Sequence, residues 1–228
     1  MALWFGKKKT PDGTAVIHHE TVERRLGFTP DIAGFTKARE AAYQRLFGEI
    51  LTVSHELIPQ IPHIDVYTFR RKRGDGYVYA IVTGGMSDLP MTMPRGGEEE
   101  PRRVELIFYC AEPHEEYIRA LRWLAHFPHD SKSWLGQGHT MPNGNPPEPF
   151  LGSRGLDSFL FVPPIVTKDR TLPEELKLKG DPVHFLWVVP LTTAECDYKL
   201  EKGLDAMLGR FQENRHPHVY EPTRRSYV

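Results

Sequence analysis

Long hydrophobic runs are missing from this chain: nothing in it approaches the roughly 18 to 20 consecutive apolar residues that a membrane-spanning helix needs. No membrane partner is expected. Cysteine is scarce too, since only Cys110 and Cys196 occur among 228 residues. That is far below the density of a secreted disulfide scaffold, so a cytoplasmic location is the expectation. Charge of one sign is not in excess: 29 basic residues face 30 acidic ones, for a formal net charge of −1. Without a chain-wide positive field to hold a phosphate backbone, nucleic acid is not an expected partner. The start, Met1-Ala-Leu-Trp-Phe-Gly6, is apolar, but Lys7-Lys8-Lys9 follow it instead of preceding it, so it reads as a tail and not as a secretion signal.

Several catalytic signatures are absent as well. Gly84-Gly85-Met86-Ser87-Asp88 lacks the glycine two places after the serine that a nucleophile elbow requires, and reads as a turn tied by Ser87 and Asp88. Gly136-x-Gly138 lacks the third glycine of a dinucleotide loop and runs into His139-Thr-Met-Pro142 instead of an apolar helix. No Cys-x-x-Cys ladder exists. His126, His129, Asp130 and His139 fall in a short span and could ligate a divalent ion, which keeps a metal-dependent hydrolase open as a rival function. The spacing is not the helical His-Glu-x-x-His of a metalloprotease, so a helix terminus beside a hydrogen-bonded turn is the plainer account. No cofactor is expected.

The pattern that is present describes one α+β domain, a mixed sheet flanked by about three long helices. Residues 1–30 read as an N-terminal arm with one short strand or turn around Ala15–His19, and residues 31–228 as the domain. Phe35, Ala38, Ala42, Leu46, Ile50, Val53 and Leu57 recur at helical spacing, which predicts a helix running to Pro59. Alternation then predicts strands at Ile64–Phe69 and Tyr77–Thr83 joined by a basic turn, and a third at Val104–Phe108. An acidic first turn at Glu115-Glu116 opens a second helix that ends at Phe127-Pro128. Strands around Phe159 and Val183–Val189 follow, the latter apolar enough to be central. Thr192-x-x-Glu195 is a capping box that starts a last helix with Leu200, Leu204, Met207, Leu208 and Phe211 on its stripe. Trp123 and Trp187 fall in core positions; Trp134 stands in a loop.

Met86, Met91, Met93, Met141, Trp134 and Phe150 lie in Gly/Pro-rich connections, off any periodic face. Such residues supply adaptable apolar contact for a protein partner, or they fold back over the core. The acidic run Glu98-Glu99-Glu100 adds an attractor for a basic partner.

Particular blocks break the tie. Gly85-Met-Ser-Asp-Leu89, Arg103-Val-Glu-Leu-Ile-Phe108, Trp134-Leu-Gly-Gln-Gly-His-Thr-Met-Pro-Asn143, Leu156-Asp-Ser-Phe-Leu-Phe-Val-Pro-Pro-Ile165, Phe185-Leu-Trp-Val-Val-Pro-Leu-Thr-Thr-Ala-Glu-Cys196 and Glu213-Asn-Arg-His-Pro-His218 together resemble the suppressor of fused family. In build the chain resembles the short, single-domain bacterial members in particular. The resemblance covers about Ala38 to Val228 and implies the fold of the family's N-terminal domain. Longer animal members clamp a transcription-factor peptide between two domains, and this chain is expected to lack the second. The resemblance implies a non-enzymatic protein-binding domain, in the bacterial members an immunity protein that neutralises a cognate polymorphic toxin. An adaptor for a non-toxin partner is the alternative within the binding class. The expected contact residues are Met86, Ser87, Asp88, Met91, Glu98, Glu99, Glu100, Trp134, Gln137, His139, Met141 and Asn143.

Overall fold

The computed structural model describes residues 25–97 and 99–228. The Lys7-Lys8-Lys9 run, the turn expected around Ala15–His19 and Glu98 lie outside the described residues. Leu26 bridges Gln60, and the Gly27 amide donates to Pro59 O at 3.1 Å, so the folded body takes in chain before residue 31.

Helix α1 (Ile32–Phe47) packs Phe35, Ala42, Tyr43, Leu46 and Phe47 inward. It stops ten residues earlier than the apolar spacing predicts. Gly48, at φ 90°, ends it with its amide on Gln44 O, a conformation that glycine adopts without steric cost. The β-branched residues that follow then pair as strand β1 (Ile50–Ser54) against β2 (Asp65–Arg73). Ile50 and Val53 thus continue the period by chance of spacing, and Leu57 is 94% exposed.

Strands β2 and β3 (Gly76–Gly84) form the expected hairpin, and β4 (Arg103–Cys110) follows with all eight residues buried. Helix α2 (Glu115–Asp130) runs through Pro128, beyond its predicted end. Next come β5 (Thr140–Pro142), β6 (Leu156–Val162), a 3-10 turn over Thr167–Thr171, the short helix α3 (Leu172–Glu175), β7 (Lys177–Leu178) and the long strand β8 (Asp181–Thr192). The capping box forms as read: Thr192 Oγ1 accepts from the Glu195 amide at 3.1 Å, and Glu195 Oε2 accepts from the Thr192 amide at 2.8 Å. The single last helix becomes two, α4 (Thr193–Lys202) and α5 (Leu204–Glu213), because Gly203 at φ 91° breaks it.

The sheet order is β1-β2-β3-β4-β8-β6-β5, with β7 pairing β8; β4 and β8 are parallel and the other pairs antiparallel. This is the α+β mixed sheet that the sequence predicts. Alternation along the strands sorts two cores. Tyr67, Phe69, Ile107, Val183, Phe185, Trp187 and Val189 face α1, α3 and α5; Val66, Ile81, Leu106, Phe108, Leu186 and Val188 face α2. Trp187 is core as expected, whereas Trp123 is 40% exposed on the outer side of α2 and is not.

Candidate protein-binding surface

Glu105 organises the connection after β3. Its position in strand β4 buries it completely, so its oxygens need protein donors. Oε2 accepts from Thr83 Oγ1 at 2.7 Å. Oε1 accepts from the Gly85 amide at 2.9 Å, the Ser87 amide at 3.0 Å and Ser87 Oγ at 2.6 Å. Arg103 Nη1 donates to Ser87 O at 2.7 Å and Asp88 O at 3.0 Å, and Arg39 Nη1 reaches Asp88 Oδ1 at 2.5 Å. Burial pushes the Asp88 carboxyl up to about 6, against the downward pull of Arg39. Gly85 sits at φ +121°, and a Cβ there would lie 1.9 Å from His63 O. The Gly-Gly-Met-Ser-Asp block is therefore a buried clamp.

That placement corrects part of the expected contact surface. Met86, Ser87, Asp88 and Met91 are all buried, at 0% to 3% exposure, so their side chains present nothing to a partner of the folded protein. Met141 is also buried, because β5 pairs it with Phe159. Sequence periodicity cannot report this, since the cover comes from α2 and the Trp134 loop, distant in the chain.

The histidines of the rival metal reading do not converge. His126 Nε2 lies 2.7 Å from Glu56 Oε1. His129 Nε2 donates to Met86 O at 3.0 Å, and burial pushes its imidazole down to about 4. His139 packs edge-on to Trp134, ring centroids 4.3 Å apart. Burial favours neutral Glu56, but hydrogen bonds from His126 and the Ile64 amide outweigh it and hold the carboxyl below its ordinary range. Among the described residues no group of three His, Cys, Asp or Glu side chains is placed to hold a metal ion.

Three long connections meet instead at the end of the sheet where β4 and β8 begin. A cleft of about 230 Å³ opens there, lined by Glu100 and Pro101, by Leu135, Gly136 and Gln137, by Pro163, Pro164 and Arg170, and by Val104, His184 and Leu186 below. Its floor is apolar, while Glu100, Gln137 and Arg170 stand exposed around it. His184 is half-buried, and burial lowers its pKa. Trp134 stands behind this lining: its ring lies on Gly136, where a Cβ would come within 2.3 Å of Cζ3. The chain then runs along β6, the Gly138 amide on Phe161 O at 2.7 Å and the Phe161 amide on His139 O at 3.0 Å. Asn143 Nδ2 donates to Glu148 O at 2.8 Å and steadies the proline-rich turn. Of the expected residues, Glu99, Glu100, Trp134, Gln137, His139 and Asn143 keep exposed or half-exposed positions.

A larger hollow of about 430 Å³ lies beside Arg154, Thr192, Thr223 and Ser226. Its principal charge is spent: Arg224 donates through both Nη atoms to Glu195, at 2.7 Å each. The smaller cleft has exposed polar groups over an apolar floor, the mixture that recognition of a protein uses.

An α+β mixed sheet with helices on both faces, which gathers its connecting loops around an end cleft, is the class that these features define. The family model of the suppressor of fused protein (SUFU) matches residues 60–225. The chain belongs to the suppressor of fused family. A putative SUFU homologue from Neisseria gonorrhoeae FA 1090 superposes with a TM-score of 0.63 at 16% identity, over 86% of this chain and 98% of that one. The structure of a Sufu–Fu complex matches with a TM-score of 0.61 at 12% identity, over 87% of this chain and 93% of that one. Drosophila Suppressor of Fused gives a TM-score of 0.57 at 12% identity over 85% of this chain, which spans 51% of the Drosophila protein. A search of curated proteins gives no match.

Proposed function

We propose that the chain is a non-enzymatic protein-binding domain and that its partner is a toxin domain, which it neutralises as an immunity protein in the reducing cytoplasm. The observation that carries the binding part is the end cleft: an apolar floor bordered by Glu100, Gln137 and Arg170, the size for one large anchoring side chain. Two further features support it. Strand β5 is the last in the sheet order, so its outer edge offers backbone groups for an added strand. Glu99 and Glu100 stand exposed beside the cleft and would steer a basic partner. Cys110 and Cys196 are free thiols, in keeping with a reducing compartment.

The toxin part rests on the likeness to short bacterial members. Its test is to purify the tagged protein with its native partner, express that partner alone and measure growth arrest. Wild type should relieve the arrest, and Gln137→Arg, which places a long cation at an exposed cleft position, should not. A captured partner that arrests nothing would replace immunity with an adaptor role. Equal protection by Gln137→Arg would remove the cleft from the contact surface.

A further inference from the structure

The hairpin of β2 and β3 is longer than the sheet around it. Strand β1 pairs β2 only as far as Phe69, and β4 pairs β3 only over Tyr79–Val82. Register nevertheless continues from Arg70↔Tyr79 to Arg73↔Gly76. The last turn of the hairpin therefore projects as a two-stranded ribbon without a flanking strand, and it carries the sequence Arg70-Arg71-Lys72-Arg73.

The four cations are not equivalent. Arg71 turns inward: its Nη1 donates to Asp169 Oδ2 at 2.7 Å, its Nη2 to Asp169 Oδ1, and its guanidinium sits 4.4 Å over the Phe47 ring. This pair fixes the base of the ribbon to the body. Arg70, Lys72 and Arg73 are exposed, and no ion pair within 4.0 Å joins any of them to a carboxylate among the described residues. Arg70 lies 4.5 Å over the ring of Tyr77, which is itself 53% exposed. Asp75, at the tip, is the one acidic residue of the ribbon. Three exposed cations without an ion-pair partner among the described residues thus stand beside an exposed aromatic ring on one anchored ribbon.

We propose that this ribbon is a second docking surface, which takes an acidic segment of a protein partner: its carboxylates pair with Arg70, Lys72 and Arg73, and its apolar stems cover Tyr77. The inference rests on the protein-binding reading but uses the other end of the sheet. Because β3 and β4 are antiparallel, the ribbon lies away from Glu100 and the cleft, about 25 to 30 Å along a nine-residue strand. Charge decides between polyanions: three exposed cations on a chain of net charge −1 give too few phosphate contacts and no general field for nucleic acid, whereas a few carboxylates of one peptide match them one to one.

The test is to pan a random dodecapeptide phage library against the full-length protein, and again against the Arg70→Gln, Lys72→Gln, Arg73→Gln triple variant. All three positions are exposed, so the variant should keep the wild-type melting temperature. Peptides enriched on wild type should be net negative, bind the variant about tenfold more weakly, and weaken as salt rises from about 50 to 200 mM. Enrichment without acidic bias, or no enrichment, overturns the proposal. Equal recovery on the variant overturns it while leaving protein binding at the cleft standing, which the Gln137→Arg neutralisation assay reads separately. Tighter, ribbon-dependent binding of a short duplex DNA than of the best peptide would also overturn it, in favour of nucleic acid.

Discussion

Ser87 Oγ donates to Glu105 Oε1 at 2.6 Å inside the protein, and this contact ties the connection after β3 to the central strand β4. The Ser87 amide shares the same oxygen. Removing the hydroxyl leaves a buried carboxylate short of a donor, so Ser87→Ala should cost about 1 to 3 kcal/mol in urea denaturation. Gly85→Ala should be worse, because the new methyl meets the His63 carbonyl and the backbone is left-handed there. A Gly85→Ala protein as stable as wild type would show that this turn is not held as described.

Asp88 has a distinct pH signature. Its folded pKa, near 6, lies above its ordinary value of 3.8, so the folded state holds a proton that the unfolded chain has released. Its contribution to stability is greatest below pH 3.8 and falls as pH rises to about 6. Asp88→Asn removes the dependence and keeps an oxygen for Arg39. The stability of wild type relative to this variant should decline between those pH values, and a difference that stays flat would refute the assignment.

Two histidines act in the opposite sense. Burial lowers His129 and His216 to about 4 from 6.5, so each stays neutral when folded while the unfolded chain takes up protons. Their stabilisation is present above pH 6.5 and is lost as pH falls towards 4. His216 also stacks on Phe211, centroids 4.2 Å apart. His216→Phe should keep much of that packing and flatten the acid limb of the urea midpoint against pH.

The C-terminal segment is fastened by an ion pair. Glu195 is fully buried and Arg224 meets it with both Nη atoms, while Arg224 Nη2 also donates to Pro190 O at 2.7 Å. Arg224→Ala strands a buried carboxylate and should destabilise by about 3 to 5 kcal/mol. The double change with Glu195→Gln should recover part of that loss, as a thermodynamic cycle would measure.

Met141 and Trp134 should now separate. Met141→Ala opens space beneath β5 and should cost about 2 to 5 kcal/mol of stability, with any effect on binding following from that. Trp134→Ala removes the ring that backs Gly136 in the cleft lining and should weaken partner binding about tenfold or more. Equal binding by the Trp134→Ala protein would take the ring out of the interface.

Much of the fold is legible in the chain because local periodicity reports which face of an element is buried. The β2–β3 alternation, the apolar β8 and the Thr192–Glu195 box each carry their signal within a dozen residues. Where the expectation slipped, the local signal was ambiguous: Ile50 and Val53 fit a helical period and a strand equally, and Gly48 decided between them through a backbone angle. Glu105 was readable as a charge set within the apolar strand Val104–Phe108, yet its partners were not, since Thr83, Gly85 and Ser87 reach it across the sheet.

By itself, then, the sequence determined the α+β class, the family and the lack of an apolar run long enough for a membrane-spanning helix, all of which follow from composition, short-range pattern and ordered blocks. Only the tertiary structure decided which loop residues meet solvent. Met86 and Trp134 look alike in a Gly/Pro-rich connection, but α2 and the β4 network close over the first and leave the second beside an open cleft. Burial depends on what packs from elsewhere in the chain, and no local pattern carries that information.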